Sequence, residues 1–229
     1  MFVDSISFDY QYYQENILLI GMIGSGKSQL TRKILDGIPN ARRWIWDESS
    51  NFHEYGEVIT DLSKLNAGNY CIDLAEKSTE NFEIYTEYLY QNALNYKLMN
   101  HVNVVDEVQK YTNPHDTNSF LKNIVTSMRN RAISNIFITP SPSLIPSWIK
   151  NNTLHVFALR TVDYGQLEYM ERNFFGKEAW LLTSSDKRKK MEDEINLEPY
   201  SFIYRDMRKS ETEVYNNLSN SDSIVNKKY

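Results

Sequence analysis

Short apolar runs alternate along this chain with longer amphipathic stretches. Asn16–Ile23 (NILLIGMI) runs into a glycine and is short and apolar enough for a buried strand. Ser28–Leu35 follows with helical character. Ala41–Asp47 (ARRWIWD) alternates as a second strand, and Tyr70–Leu74 (YCIDL) is a short third one. Thr79–Leu98 is rich in Glu, Leu and Tyr and lacks Gly and Pro, which predicts a helix. Val102–Asp106 (VNVVD) is another buried strand, and Asn118–Arg131 is helical. Asn135–Thr139 (NIFIT) is a strand that stops at Pro140. Leu154–Leu159 (LHVFAL) is again a strand, with a helix near Tyr164–Asn173. Ala179–Thr183 and Tyr200–Arg205 are expected as a late strand pair. Strands and helices that alternate in this way predict an α/β fold, a mostly parallel sheet with helices on both faces.

The length of 229 residues suits one large α/β domain with a short appendage. Residues 1–208 are expected to form that domain. From about Lys209 the chain turns Asn/Ser-rich, and 209–229 is expected as a polar tail. At 41% hydrophobic and 24% charged residues the composition excludes a wholly disordered chain. No apolar run approaches the roughly 20 residues a membrane helix needs. The N-terminus lacks the basic-then-apolar pattern of a secretory signal. The single Cys71 has no partner for an internal disulfide, which suits a reducing cytoplasm, the expected location. A net charge of -5 argues against a protein that coats nucleic acid with its whole surface, though not against a local basic track.

The strongest chemical signal is Gly21-Met22-Ile23-Gly24-Ser25-Gly26-Lys27-Ser28, a full match to G-x-x-x-x-G-K-[ST]. Glycines let backbone N–H groups approach phosphate oxygens, forming an anion-binding concavity at the start of a helix. Lys27 is expected to place its charge on the β- and γ-phosphates, and Ser28 to offer its hydroxyl to Mg²⁺. Gln29, next in the helix, completes the nucleotide-binding stretch. Chance produces this pattern in roughly 1% of chains this long, and its position between a buried strand and a helix lowers that figure.

Val102-Asn103-Val104-Val105-Asp106-Glu107 is a buried strand ending in two carboxylates. In a parallel sheet the C-terminal strand ends carry the ligand. With this strand beside the phosphate-loop strand, Asp106 reaches the Mg²⁺ shell and Glu107 polarises the attacking water as general base. The alternative is an Asp-Glu pair that merely ends a strand. An acidic pair of this kind favours ATP hydrolysis by a multisubunit motor over a small-molecule kinase. The guanine-reading N-K-x-D motif of GTPases is not found.

A further block, Ser127-Met128-Arg129-Asn130-Arg131 leading into Asn135-Ile136-Phe137-Ile138-Thr139-Pro140-Ser141-Pro142-Ser143, completes the pattern. Together the phosphate loop, the strand ending in Asp47, the extra strand at YCIDL, the acidic pair and this block resemble the FtsK–HerA superfamily of DNA-pumping ATPases. Within it they are most similar to the genome-packaging ATPases of membrane-containing icosahedral viruses, archaeal ones included. The resemblance spans roughly residues 14–207. It implies a P-loop NTPase of the ASCE, RecA-like kind, with ATP and Mg²⁺ as cofactors. It also implies a homo-oligomeric ring such as a hexamer, acting on double-stranded DNA, with capsid or membrane proteins as further partners. In that family an arginine at the position of Arg129, or of Arg131 two residues on, acts on the neighbouring subunit's nucleotide. The family strand commonly ends Thr-Gln. Here Thr139 is followed by Pro140, so γ-phosphate sensing falls to Thr139 or to another polar group. An ATPase that assembles or secretes protein, and a P-loop kinase, are the rival readings.

Other features have ordinary explanations beside functional ones. Arg42 and Arg43, or Lys187–Lys190, offer cations for a phosphate backbone, against a solvated basic segment. Trp44 and Trp46 suit core packing more than base stacking. Tyr10, Tyr12 and Tyr13 precede the first strand, where a residue can flank the adenine. The four histidines lack ligand spacing, and Cys71 is expected as a buried small hydrophobe.

Overall fold

A computed structural model describes residues 14–38, 40–65, 68–95, 100–115, 118–183, 201–209 and 212–215, with only the backbone for Arg129. Tyr10, Tyr12, Tyr13 and Lys187–Lys190 lie outside the described residues. Among the described residues nine strands form one sheet: β1 Asn16–Ile20, β2 Arg42–Trp46, β3 Glu57–Ile59, β4 Tyr70–Ile72, β5 His101–Val105, β6 Ile133–Thr139, β7 His155–Leu159, β8 Phe202–Asp206 and β9 Thr212–Tyr215. Their order is β3-β4-β2-β5-β6-β1-β7-β8-β9. The seven from β3 to β7 in that order are parallel, and β8 and β9 add an antiparallel margin.

The helices are α1 Lys27–Asp36, α2 Thr79–Leu94, α3 Ser119–Ser127, α4 Ser147–Asn151 and α5 Tyr164–Met170. Alternate residues of each strand face opposite sides. Leu18, Ile20, Trp44 and Trp46 meet Phe82, Tyr85 and Leu89 of α2 and the apolar faces of α3 to α5. Ile17, Leu19, Ile45, Val104 and Ile136 meet Leu30, Ile34 and Leu35 of α1. Both faces are therefore covered, as the continuous apolar strands require. Trp46 packs edge-on against Phe82 and Tyr111, with ring centroids 5.1 and 5.2 Å away, so the two tryptophans belong to the core. Ser78 caps α2 by accepting a hydrogen bond from the Asn81 N–H at 3.1 Å, and Asn118 caps α3 through Leu121 N–H at 2.9 Å.

A buried row of asparagines crosses the middle of the sheet. Asn16, Asn135 and Asn103 stand opposite one another on β1, β6 and β5. Tyr85 donates to Asn103, Asn103 Nδ2 donates to Asn135 Oδ1 at 2.9 Å, and Asn135 Nδ2 donates to Asn16 Oδ1 at 2.8 Å. A slip of one residue would turn these amides into the opposite apolar layer, so the row pins the register of three strands.

Four expectations are corrected. The acidic-pair strand β5 is not beside β1; β6 lies between them. Ala179–Thr183 is not a strand. Gly176–Leu182 is a 3₁₀ helix whose buried Ala179 and Leu182 fall three residues apart, the repeat of that helix. Four apolar residues in a row carry no period that separates the two forms. β8 therefore pairs with β7 and β9 instead. The helix over Asn118–Arg131 stops at Ser127, and Arg129–Arg131 form a separate 3₁₀ turn before the left-handed Ala132 (φ 49°). Within the stretch expected as a tail, Thr212–Tyr215 forms β9, with Tyr215 stacked on Phe202 at 4.7 Å between ring centroids. The sequence reading also passed over β3, three residues long with only Ile59 buried.

Candidate functional site

The loop after β1 is clamped on both flanks. Gly21 N–H donates to the Thr139 carbonyl at 3.2 Å, and Met22 N–H donates to the Arg160 carbonyl at 3.1 Å. The end of β6 and the segment after β7 thus hold its entry. A Cβ on Gly21 would lie 2.5 Å from Ser25 Oγ and 3.0 Å from Leu159 Cβ, so glycine is required by space. Gly24 and Gly26 have φ of 76° and 102°, the left-handed region that suits glycine. These turns lead into α1, whose first hydrogen bond runs from Leu30 N–H to Gly26 O at 2.9 Å, so the N–H groups of the helix's first turn have no carbonyl partner within the helix.

Lys27 is 8% exposed, and its Nζ donates to the carbonyls of Gly21 at 2.8 Å and Met22 at 3.2 Å. Burial lowers its pKa, while the charges of Glu107 and Asp106 work against that fall. The lysine and both carboxylates therefore sense one another across the end of β6. Met22 and Ser28 are half-buried, Gln29 is exposed, and Ile23 at the loop tip is 84% exposed. Ser25 Oγ is buried and has no hydrogen-bond partner among the described residues.

Asp106 follows β5 directly, and its N–H donates to the Trp46 carbonyl at 3.0 Å. It is 3% exposed. Burial pushes its pKa up to about 6; the charges of Glu107 and Asp47 add to this, and a hydrogen bond from Ser49 and the charge of Lys27 oppose it. Its Oδ2 is buried without a hydrogen-bond partner. An unpartnered buried carboxylate oxygen on Asp106 and the half-buried Ser28 hydroxyl, next to the Lys27 whose charge Asp106 senses, are donors of the hard oxygen kind that suits Mg²⁺. Ser28 and Asp106 thus fit the ion that the loop motif implies. Glu107 has a left-handed backbone (φ 52°) and accepts a 2.6 Å hydrogen bond from Gln109 Nε2.

Sequence reasoning gave no role to several residues at this edge. Asp47 ends β2 beside Asp106, is fully buried, and accepts the N–H groups of Asn51 at 2.9 Å and Phe52 at 2.8 Å. Glu48 is paired with Lys110 at 2.6 Å and hydrogen-bonded by Tyr111. The run Trp46-Asp47-Glu48 repeats the strand-then-two-acids signature of Val105-Asp106-Glu107, the one signal that pointed to it.

Other expected residues lie elsewhere or are already engaged. Thr139 is fully buried, and its Oγ1 accepts the Ser141 N–H at 3.0 Å. The turn Arg129–Arg131 precedes β6 and so sits at the opposite edge of the sheet. Seven residues of β6 separate the two edges, roughly 23 Å at ~3.3 Å per residue. Arg43 is buried, its guanidinium bonded to the carbonyls of Ala41 and Ile38, which makes it part of the framework, whereas Arg42 is exposed. Cys71 is buried, its thiol donates to the Phe52 carbonyl, and burial pushes its pKa up to about 12.

With this geometry, solved structures of the same fold are found. The genome packaging NTPase B204 from Sulfolobus turreted icosahedral virus 2, in complex with ATP-gammaS, superposes with a TM-score of 0.70. It is 16% identical, with 90% of this chain and 98% of that one covered. VirB4 of Thermoanaerobacter pseudethanolicus gives a TM-score of 0.65 at 10% identity, with 90% of each chain covered. The pCW3 conjugation coupling protein TcpA, in its monomer form with ATPgS, gives 0.55 at 17% identity, covering 92% of this chain and 61% of that one. These neighbours agree with the resemblance read from the sequence, and the fold is that of a P-loop NTPase with a mostly parallel sheet. No family model matches the chain, and no curated protein matches its sequence.

Proposed function

We propose that this chain is a Mg²⁺-dependent ATPase that drives DNA translocation as a ring, in the packaging of a viral genome into a capsid. One observation carries the hydrolytic part. The phosphate loop and the Asp106–Glu107 pair converge at the C-terminal edge of β1, β6 and β5, near enough for both acids to act on the Lys27 charge. The fold shared with a genome packaging NTPase solved with ATP-gammaS supports the reading of the cargo.

In this mechanism the N–H groups of Gly26, Lys27 and Ser28 at the start of α1 hold the phosphates, and the Lys27 ammonium leaves its carbonyl partners for the β- and γ-phosphate oxygens. Ser28 and Asp106 hold Mg²⁺, which neutralises charge on those oxygens when bound. Glu107 takes a proton from the water that attacks the γ-phosphorus. Arg129 or Arg131, at the far edge of the sheet, acts on a neighbour's nucleotide and not on its own. Each site is then completed only by assembly, which couples hydrolysis to movement of one subunit against the next.

The test is ATP turnover by the full chain with and without duplex DNA, over a range of salt. DNA-stimulated turnover that weakens steeply with salt is expected. Lys27→Ala should lose tight ATP binding, and Glu107→Gln should keep binding but lose hydrolysis. Turnover at the unmodified rate by Glu107→Gln would remove the base assignment. Turnover indifferent to DNA but stimulated by an unfolded or partner protein would favour the protein-moving alternative.

A further inference from the structure

The strand between the phosphate loop and the acidic pair supplies no side-chain amide to the site. It ends in Thr139, whose hydroxyl is already engaged by the Ser141 N–H, and then Pro140, which has no polar side chain. One amide nevertheless lies against the proposed base. Gln109 sits in the 3₁₀ turn Val108–Lys110, directly after Glu107. The left-handed backbone of Glu107 folds the chain back, so that side chains two residues apart meet. Gln109 Nε2 then donates to Glu107 Oε2 at 2.6 Å. The amide's other end, Oε1, is buried and has no hydrogen-bond partner among the described residues.

The turn that carries Gln109 is anchored on every side. Lys110 N–H closes it onto the Glu107 carbonyl at 2.9 Å, and Val108 is fully buried. Lys110 and Tyr111 both bind Glu48, tying the turn to the segment after β2. A side-chain amide on so rigid a support holds its geometry without further ordering. A buried acceptor that lacks a donor calls for one. Water is the donor that an ATPase brings to this place.

We infer that Gln109 is a positioning residue for the hydrolytic water, holding Glu107 through its N–H₂ and the water through its carbonyl oxygen. This rests on the ATPase reading. One hydrogen of the water points to Glu107 Oε1 and the other to Gln109 Oε1, which leaves an oxygen lone pair directed at the γ-phosphorus. The new P–O bond forms as the bond to the β–γ bridging oxygen breaks, and ADP leaves with that electron pair. The proton taken by Glu107 passes on to the released phosphate or to solvent. Gln109 thus brings a side-chain amide to the water's side of the site from the strand end next to β6.

The experiment uses the full chain with Mg²⁺ and ATP, comparing Gln109→Met, Gln109→Glu and Glu107→Gln, singly and with Gln109→Met combined with Glu107→Gln. Methionine keeps the length and removes both hydrogen-bonding groups; glutamate keeps the shape and replaces the donor by a like charge. Both Gln109 variants should lose at least ~10-fold in kcat, while KM and the affinity for a fluorescent ATP analogue stay within about twofold. The double variant should be no slower than Glu107→Gln alone, because the two side chains act as a unit. Unchanged kcat in either Gln109 variant overturns the inference. So does a loss of nucleotide affinity that parallels the loss of kcat, which marks a structural role. If Glu107→Gln itself hydrolyses ATP normally, the base assignment has failed; if it is inactive while Gln109→Met keeps full kcat, only the role of Gln109 has.

Discussion

Asp106 is held where its charge is costly, and the cost is measurable without any activity assay. Its folded pKa of about 6 lies above the ordinary carboxyl value of 3.8, with burial as the main cause. Between those values the folded state keeps a proton that the unfolded chain releases. The stabilisation that Asp106 contributes is therefore fully present below pH 3.8 and is lost as pH rises through 6. The difference corresponds to about 3 kcal/mol. Asp106→Asn imitates the protonated form at every pH. In metal- and nucleotide-free protein it should be more stable than the parent at pH 8, by an amount that shrinks by about 2–3 kcal/mol toward pH 4. Paired urea titrations of both proteins at pH 4, 6 and 8, with chelator present, read this directly. Comparing the two chains at each pH cancels the other titrating groups. Mg²⁺ with a non-hydrolysable ATP analogue should reverse the order at pH 8, because the ligands repay the parent's buried charge and not the variant's. A variant advantage independent of pH, or a variant less stable at pH 8 than at pH 4 relative to the parent, would refute the reasoning.

Two further predictions test the framework and the assembly. Asn135→Leu, which keeps the branched shape but not the polar groups, leaves Asn103 Nδ2 without its acceptor and Asn16 Oδ1 without its donor. At about 1–3 kcal/mol per stranded buried group, thermal unfolding should show a loss of about 2–6 kcal/mol; a loss below about 1 kcal/mol would show that the row is dispensable. Of Arg129→Ala and Arg131→Ala, at least one should be inactive alone or nearly so and regain turnover when mixed with Lys27→Ala subunits. Failure of both mixtures would end the shared-site reading.

Parts of the site were legible because their geometry is local. Gly21 to Ser28 form a turn from consecutive residues, so its glycines, lysine and serine carry the signature without knowledge of the fold. Val102–Asp106 was likewise visible as an apolar strand that ends in acids. Cores of this kind are encoded residue by residue, and Trp44, Trp46 and Cys71 went where their hydrophobicity sends them.

What the tertiary structure alone decided are relations between residues far apart in the chain. Strand order is one: the placement of β6 between β1 and β5 depends on pairings between segments that the sequence shows only as equivalent apolar runs. The asparagine row is another, joining residues 32 and 119 positions apart whose polarity looked incidental on each strand alone. Asp47 becomes part of the site only because β2 lies against β5, and Gln109 only because Glu107 adopts a left-handed turn. Side-chain chemistry and short-range geometry are written in the order of residues. Proximity across a sheet is settled by which strands share hydrogen bonds, and that is a property of the whole fold.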